Sequence, residues 1–219
     1  GPLGLPPERA GAVMNRIGPN AILQLVPVLD EVLGPRRRDE LLAAADIGSL
    51  PDGTSMIDEL PVARLHQALR QRWPEQAAAI SARAGRGTGD YILANRIPGA
   101  AKRILEVLPV GLRARLLSKA IAKHAWTFAG SGRFRVVSAN PLVFEIARNP
   151  VVRDETAAAP ICIWHAQVFE RLYRALVADD YRAAETDCGA VDGDVCRFTL
   201  TRQGIPGPAP ARGSVRPDS

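Results

Sequence analysis

Cysteine is scarce in this 219-residue chain, with only Cys162, Cys188 and Cys196. Three cysteines cannot all pair within one chain, which excludes a disulfide scaffold. No apolar run approaches the ~18–20 residues of a membrane span. No signal peptide is visible, so the expected compartment is the reducing cytosol. There, clustered cysteines more often serve a metal or a reaction than a cross-link. Nucleic-acid signatures are also missing: there is no helix-turn-helix pattern, no RNA-binding aromatic motif and no zinc-finger spacing, so nucleic acid is not an expected partner. No internal repeat is present. The nearest thing to a dinucleotide fingerprint is Gly85-Arg86-Gly87-Thr88-Gly89. It does not follow a strand and is one residue short between its last glycines, so it reads as a flexible break between helices.

What remains is ordinary for a globular protein. The chain is 47% hydrophobic, which excludes wholesale disorder. Residues 1–10 read as a flexible start whose Gly1-Pro2-Leu3-Gly4 resembles the scar of a cleaved tag. Residues 204–219 are rich in Pro and Gly and read as a disordered tail. Between them, residues 11–98 form a helical region and residues 99–203 a second, mixed region.

Charge is unevenly spread. The formal net charge is +5. From Arg96 to Lys123, seven cations (Arg96, Lys102, Arg103, Arg113, Arg115, Lys119 and Lys123) stand against Glu106 alone. All three lysines of the chain lie in this stretch. Arg115, Lys119 and Lys123 are four apart and line one helix face. Such a face suits carboxylate-bearing ligands, an acidic protein or lipid head groups, or is simply solvated.

The periodicity is helical first. Val13, Ile17, Leu25 and Leu29 fall at helical spacing, broken by Pro19 and Pro27, and Pro35 opens a second helix. Thr54 or Ser55 can cap a helix through Trp73. Pro74 can start another that runs through Tyr91 and Leu93 to Ile97. Pro98 and Pro109 divide the next stretch, where Leu112, Leu116, Leu117 and Ile121 form an apolar stripe opposite the basic one. The period then changes to two: Trp126, Phe128, Phe134 and Val136, then Leu142, Phe144 and Ile146, predict strands. A helix follows Pro160, with Ile161, Trp164, Val168, Leu172 and Leu176 on its apolar side. Two last strands flank Asp192-Gly193-Asp194, a hairpin signal. Helices, meander, helix, hairpin: the order predicts an α+β fold with N-terminal helices on an antiparallel sheet.

In a hairpin turning at Asp192, Cys188 and Cys196 face each other, and two thiolates that close can share a tetrahedral metal. Cys162, at the start of the preceding helix, can supply a third sulfur. Glu185 can supply an oxygen, but in a regular strand it faces away from Cys188, so joint ligation needs a bulge. His165, one helical turn from Cys162, is a rival fourth ligand. A cross-strand disulfide and three independent buried thiols are the alternatives. Zinc suits a closed, sulfur-rich site.

The run from Glu185 through Cys188 and Cys196 to Phe198 resembles the C-terminal signature of the 4-vinyl-reductase domain family, found also in the sensor regions of bacterial aromatic-responsive activators. The family pattern is an acidic residue, two residues, Cys, seven residues, Cys and an aromatic, with an earlier cysteine upstream. The resemblance implies that Cys162, Glu185, Cys188 and Cys196 hold zinc and clamp the hairpin. Tyr91 to Pro98, the basic stretch through His124-Ala125-Trp126 to Gly130 and the cysteine hairpin resemble the bacteriochlorophyll-biosynthesis branch of the family, over most of residues 12–201. Ala166 departs from the pattern, where a glycine is expected. The resemblance implies a fold akin to vesicle-tethering subunits and haem nitric-oxide sensors, a homodimer formed through N-terminal helices, and a magnesium tetrapyrrole as ligand.

Vinyl reduction would need a hydride or electron source, and neither a nicotinamide site, a flavin site nor an iron–sulfur motif is found. A carrier of a magnesium porphyrin or chlorophyllide between pathway enzymes is the favoured expectation, with a vinyl reductase and a zinc-stabilised scaffold as alternatives. His66, His124 and His165 are candidate axial ligands for magnesium. His124 leads, because Trp126 adjoins it and Arg115, Lys119 and Lys123 can meet propionates. The expected location is cytoplasmic, with a membrane surface as a possible neighbour.

Overall fold

The computed structural model describes residues 15–204 apart from Asp192 and Asp194. The flexible start and the tail expected from the sequence, Val13 and those two turn residues lie outside the described residues. In chain order, the elements begin with strand β1 (Arg16–Ile17) and helices α1 (Asn20–Leu23), α2 (Val26–Leu33) and α3 (Pro35–Ala44). Strand β2 (Ile57–Asp58) then leads into α4 (Glu59–Arg72), α5 (Ala77–Asn95), α6 (Gly99–Glu106), α7 (Val110–Lys123) and α8 (Trp126–Ala129). Strands β3 (Arg133–Ala139) and β4 (Leu142–Ala147), a 3-10 turn at Pro150–Val152, helix α9 (Ile163–Leu176) and strands β5 (Tyr181–Asp187) and β6 (Val195–Arg202) complete it. The fold is α+β, as expected: a four-stranded antiparallel sheet of order β3-β4-β6-β5 with helices packed on it.

Alternation sets the sheet's two faces. Leu142, Phe144 and Ile146 of β4 pair with Leu200, Phe198 and Cys196 of β6, and all six are buried. Onto them pack the apolar side chains of α9, with the Phe169 ring 5.1 Å from Phe144 and 5.2 Å from Phe198. On the opposite face Glu145 is flanked across the strands by Arg135 and Arg197, which donate to it at 2.8 and 2.9 Å. One hydrophobic cluster runs from Ile17 to Leu200 and includes all three cysteines.

Five local expectations change. Ile17 does not lie on a helix: Arg16–Ile17 pairs with Ile57–Asp58 as a small antiparallel ladder. That pairing, and an Asp52 carboxylate that accepts from the Thr54 and Ser55 amides, moves the helix start from Thr54 to Asp58, whose Oδ1 accepts from Leu60 at 2.9 Å. After Pro74 the chain makes a turn closed on the Trp73 carbonyl, and α5 begins at Ala77. It ends at Asn95, short of Ile97, because Pro98 disfavours helical backbone before it. Trp126 and Phe128 lie on the one-turn helix α8, not on a strand, and the positive φ of Gly130 (54°) ends it. On α7 only Leu117 and Ile121 of the expected apolar stripe are buried, while Leu112 and Leu116 point outward among the cations.

The glycine run is the largest correction. Gly85, Gly87 and Gly89 lie inside α5, and the helix is continuous through them. A Cβ on Gly85 would stand 2.5 Å from the Trp164 carbonyl and 2.7 Å from the Gln167 Cβ. One on Gly89 would stand 2.7 Å from Arg171 Cβ. The run is therefore a close-packing seam between α5 and α9, chosen for the missing side chains and not for flexibility. Trp164 crosses the same seam and donates to the Thr88 hydroxyl at 3.2 Å.

Candidate metal centre

Three elements deliver the candidate ligands. Cys162 is the N-cap of α9. Cys196 lies on the inner face of β6 opposite Ile146. Glu185 and Cys188 come from β5 and the residue just past its end. The pairing shifts by one residue between Glu185 and Asp187. Glu185 pairs with Phe198 on the inner face. The extra residue at the shift turns Asp187 outward to pair with Arg197 and Cys188 inward. The bulge that joint ligation required is present.

The four ligand atoms lie within 4.8 Å of one another. The Cys162 sulfur is 3.3 Å from that of Cys196 and 4.0 Å from that of Cys188. These values bracket the ~3.8 Å between sulfurs that each sit ~2.3 Å from one tetrahedral ion. They are far longer than the ~2.05 Å of a disulfide, and all three cysteines are free and buried. Glu185 Oε2 accepts from the Cys162 amide at 2.7 Å, at the positive end of α9. Its Oε1 is buried without a hydrogen-bond partner. An orphaned carboxylate oxygen beside three sulfurs is the donor set a cation completes.

The electrostatics describe the same unmet demand. Hydrogen bonds from Cys162 and Cys196 hold the Cys188 thiol pKa far below its usual value, as a thiolate. Those two donors keep their protons: Cys162 is pushed well up, and Cys196 up to about 12. Burial, and then the Cys188 charge, push Glu185 up to about 8. Without a cation, three sulfurs share one negative charge. A divalent ion would offset the repulsion and let all four groups ionise.

Asn149 completes the surroundings, and no sequence pattern singled it out. Its side-chain amide donates to the Cys162 and Cys196 sulfurs at 3.4 and 3.7 Å and lies 3.4 Å from His165 Nδ1. Its Oδ1 accepts from the Val151 amide, capping the 3-10 turn. The Asn-Pro pair that starts this turn was the one signal available. His165 Nε2 donates to the Phe128 carbonyl at 2.9 Å, which leaves Nδ1 to accept from Asn149. His165 is thus one layer outside the sulfurs, and Glu185 occupies the fourth position. The Gly189 amide also points at Cys196, at 3.4 Å.

The pigment candidates are not gathered in this way. His124 is the C-cap of α7, and with Arg115, Lys119, Lys123 and Trp126 it lies at the surface. Trp126 is 53% exposed. His66 is fully buried, with Nε2 on the Ala21 carbonyl and its ring 5.6 Å from Trp164.

Comparison with known proteins agrees with this picture. The 4-vinyl-reductase domain family matches residues 142–202, which hold β4, α9, β5, β6 and all four candidate ligands. The chain is 53% identical over 193 residues to the bacteriochlorophyll synthase 23 kDa chain of Cereibacter sphaeroides, covering 88% of this chain and 94% of that one. It is 50% identical over 189 residues to the protein of the same name from Rhodobacter capsulatus, covering 86% and 88%. In fold it is similar to an Fe(II) unliganded H-NOX protein from K. algicida, with a TM-score of 0.55, 8% identity, and coverage of 85% and 96%. It is also similar to an H-NOX structure from work on heme distortion, with a TM-score of 0.51, 12% identity, and coverage of 85% and 95%.

Proposed function

The chain belongs to the family of the bacteriochlorophyll synthase 23 kDa chains, and from that premise we propose that it binds a magnesium tetrapyrrole and carries it between enzymes of bacteriochlorophyll biosynthesis. Half-identity over nearly the whole chain to relatives of that name is the observation that carries this reading. A fold shared with H-NOX proteins described by their heme supports it. The cargo is a magnesium porphyrin or chlorophyllide, received in the cytoplasm, and the acting form is a homodimer.

Zinc is the ion assigned to Cys162, Glu185, Cys188 and Cys196. Four protein ligands leave no open coordination position, so its work is to fasten the start of α9 to the β5–β6 hairpin. With every thiol so committed, none remains for redox chemistry. The glycine run of α5 supports the same conclusion: its backbone amides are used within a helix pressed against α9 and offer no loop for a dinucleotide phosphate. His124 is the proposed axial ligand to magnesium, with Trp126 against the macrocycle. Their exposure suits a cargo that must be handed on.

Titration of the purified protein with a magnesium porphyrin tests the reading. A saturable absorbance shift is expected, weakened at least tenfold in His124→Ala, with no turnover of divinyl chlorophyllide under anaerobic NADPH. Loss of the divinyl substrate on adding protein and reductant alone would establish the reductase instead. A flat titration would leave the zinc-stabilised scaffold.

A further inference from the structure

We propose that the outward face of α6 and α7 docks on an anionic lipid surface. α6 buries none of its side chains, and α7 buries only Leu117, Ser118 and Ile121. Ile104 is 59% exposed, and Val107, just past the end of α6, is 81% exposed. Leu112 and Leu116 on α7 are 42% and 40% exposed. At spacings of three and four residues, Leu112, Arg115, Leu116, Lys119 and Lys123 share one side of α7. Apolar and cationic side chains therefore alternate on a single convex surface.

Its cations are unneutralised. Among the described residues, Lys102, Arg103, Arg115, Lys119 and Lys123 form no ion pair. Elsewhere Arg70, Arg171 and Arg202 each meet a carboxylate. Glu106 is the one acidic residue between Arg96 and Lys123. The partner must therefore be anionic and must also accept separate apolar side chains.

A bilayer meets both demands better than an acidic protein does. Protein interfaces gather apolar residues into a core from which lysine is depleted. Here the chain's only three lysines sit among the exposed leucine, isoleucine and valine side chains. An interfacial helix has this mixture, with apolar tips below the head groups and lysine stems lying along the boundary. The side chains concerned belong to α6 and α7 alone, so the inference is independent of the carrier reading. It gives Arg115, Lys119 and Lys123 a use other than pigment propionates.

The test is co-sedimentation of the full chain with phosphatidylglycerol–phosphatidylcholine vesicles against pure phosphatidylcholine vesicles. Binding only to the anionic vesicles is expected, with loss in high salt. Lys102→Glu/Arg103→Glu and Leu112→Ser/Leu116→Ser should each weaken it at least about tenfold, with circular dichroism and zinc content unchanged to show that the variants fold. No binding by the parent protein, or binding indifferent to both double variants, overturns the proposal. So does a Lys119→Glu/Lys123→Glu variant that loses the porphyrin shift but still sediments with vesicles: the face would then belong to propionates. Retention on an acidic protein of the pathway, with vesicles ignored, would make it a protein surface. A failed porphyrin titration with vesicle binding intact would instead count against the carrier alone.

Discussion

Asn149 places one side-chain amide between two sulfurs and a histidine, and its carbonyl on a turn amide. Donors to a thiolate spread its charge and fix its direction, so such outer groups typically contribute ~10–100-fold in metal affinity. Asn149→Ala should therefore lower zinc affinity by about that factor, measured by competition with a chromophoric chelator, and cost about 1–3 kcal/mol of stability by leaving His165 Nδ1 unpaired. Unchanged affinity would reduce Asn149 to a turn cap. Glu185→Gln should weaken zinc more than His165→Gln does, because Oε1 of Glu185 is the orphaned atom facing the sulfurs. At this scale the sequence was informative only where spacing was. The separation of Cys188 and Cys196, with Glu185 three residues before, led to the cluster. Asn149 was invisible because a lone asparagine before a proline signals a turn and nothing more.

At the scale of elements, the α5–α9 seam yields a comparison within one helix. Gly85→Ala puts a methyl against the Trp164 carbonyl backbone, which cannot yield, and overpacking of this kind costs about 1–3 kcal/mol. Gly87→Ala meets only the end of the Gln24 side chain, at 3.0 Å, which can turn away. It should be neutral or stabilising by up to about 1 kcal/mol through helix propensity. Urea midpoints of the two variants check the contrast, and equal effects would contradict the seam. The sequence read this run as a break because small residues look alike whether they loosen a chain or admit a neighbouring backbone. The difference lies in Trp164 and Arg171, far along the chain on α9. Period two failed similarly at Trp126 and Phe128, since two residues cannot distinguish a strand from one helical turn. It held for Leu142, Phe144 and Ile146, where burial repeats over three positions. The strand bulge was legible only as a requirement: the ligand set demanded it, but nothing in Glu185-Thr186-Asp187 announces it.

For the molecule as a whole, two buried histidines set an acid limit. Burial depresses His66 to about 3 and His165 to about 4, so both are neutral in the folded protein, whereas unfolded histidine titrates near 6.5. The unfolded chain takes up these protons first. Stability is therefore full above about pH 6.5 and is lost as pH falls toward 4. At pH 5 each histidine should cost about 2 kcal/mol, seen as a lower guanidinium midpoint than at pH 7. His66→Gln should shrink that loss, and an unchanged pH profile would contradict the assignment. Chelating zinc at neutral pH should lower the melting temperature by about 10 °C, the order expected when a tight ligand of the native state alone is withdrawn from a chain this size. Trp164 gives these equilibria an internal optical probe. Its indole is buried two residues from Cys162 and lies 4.7 Å from the His165 ring, while Trp126 is wetted and Trp73 lies under the Arg37 guanidinium. With Trp73 and Trp126 replaced by phenylalanine, the emission maximum of the remaining indole should shift on metal loading and protonation in a chain that carries no added dye.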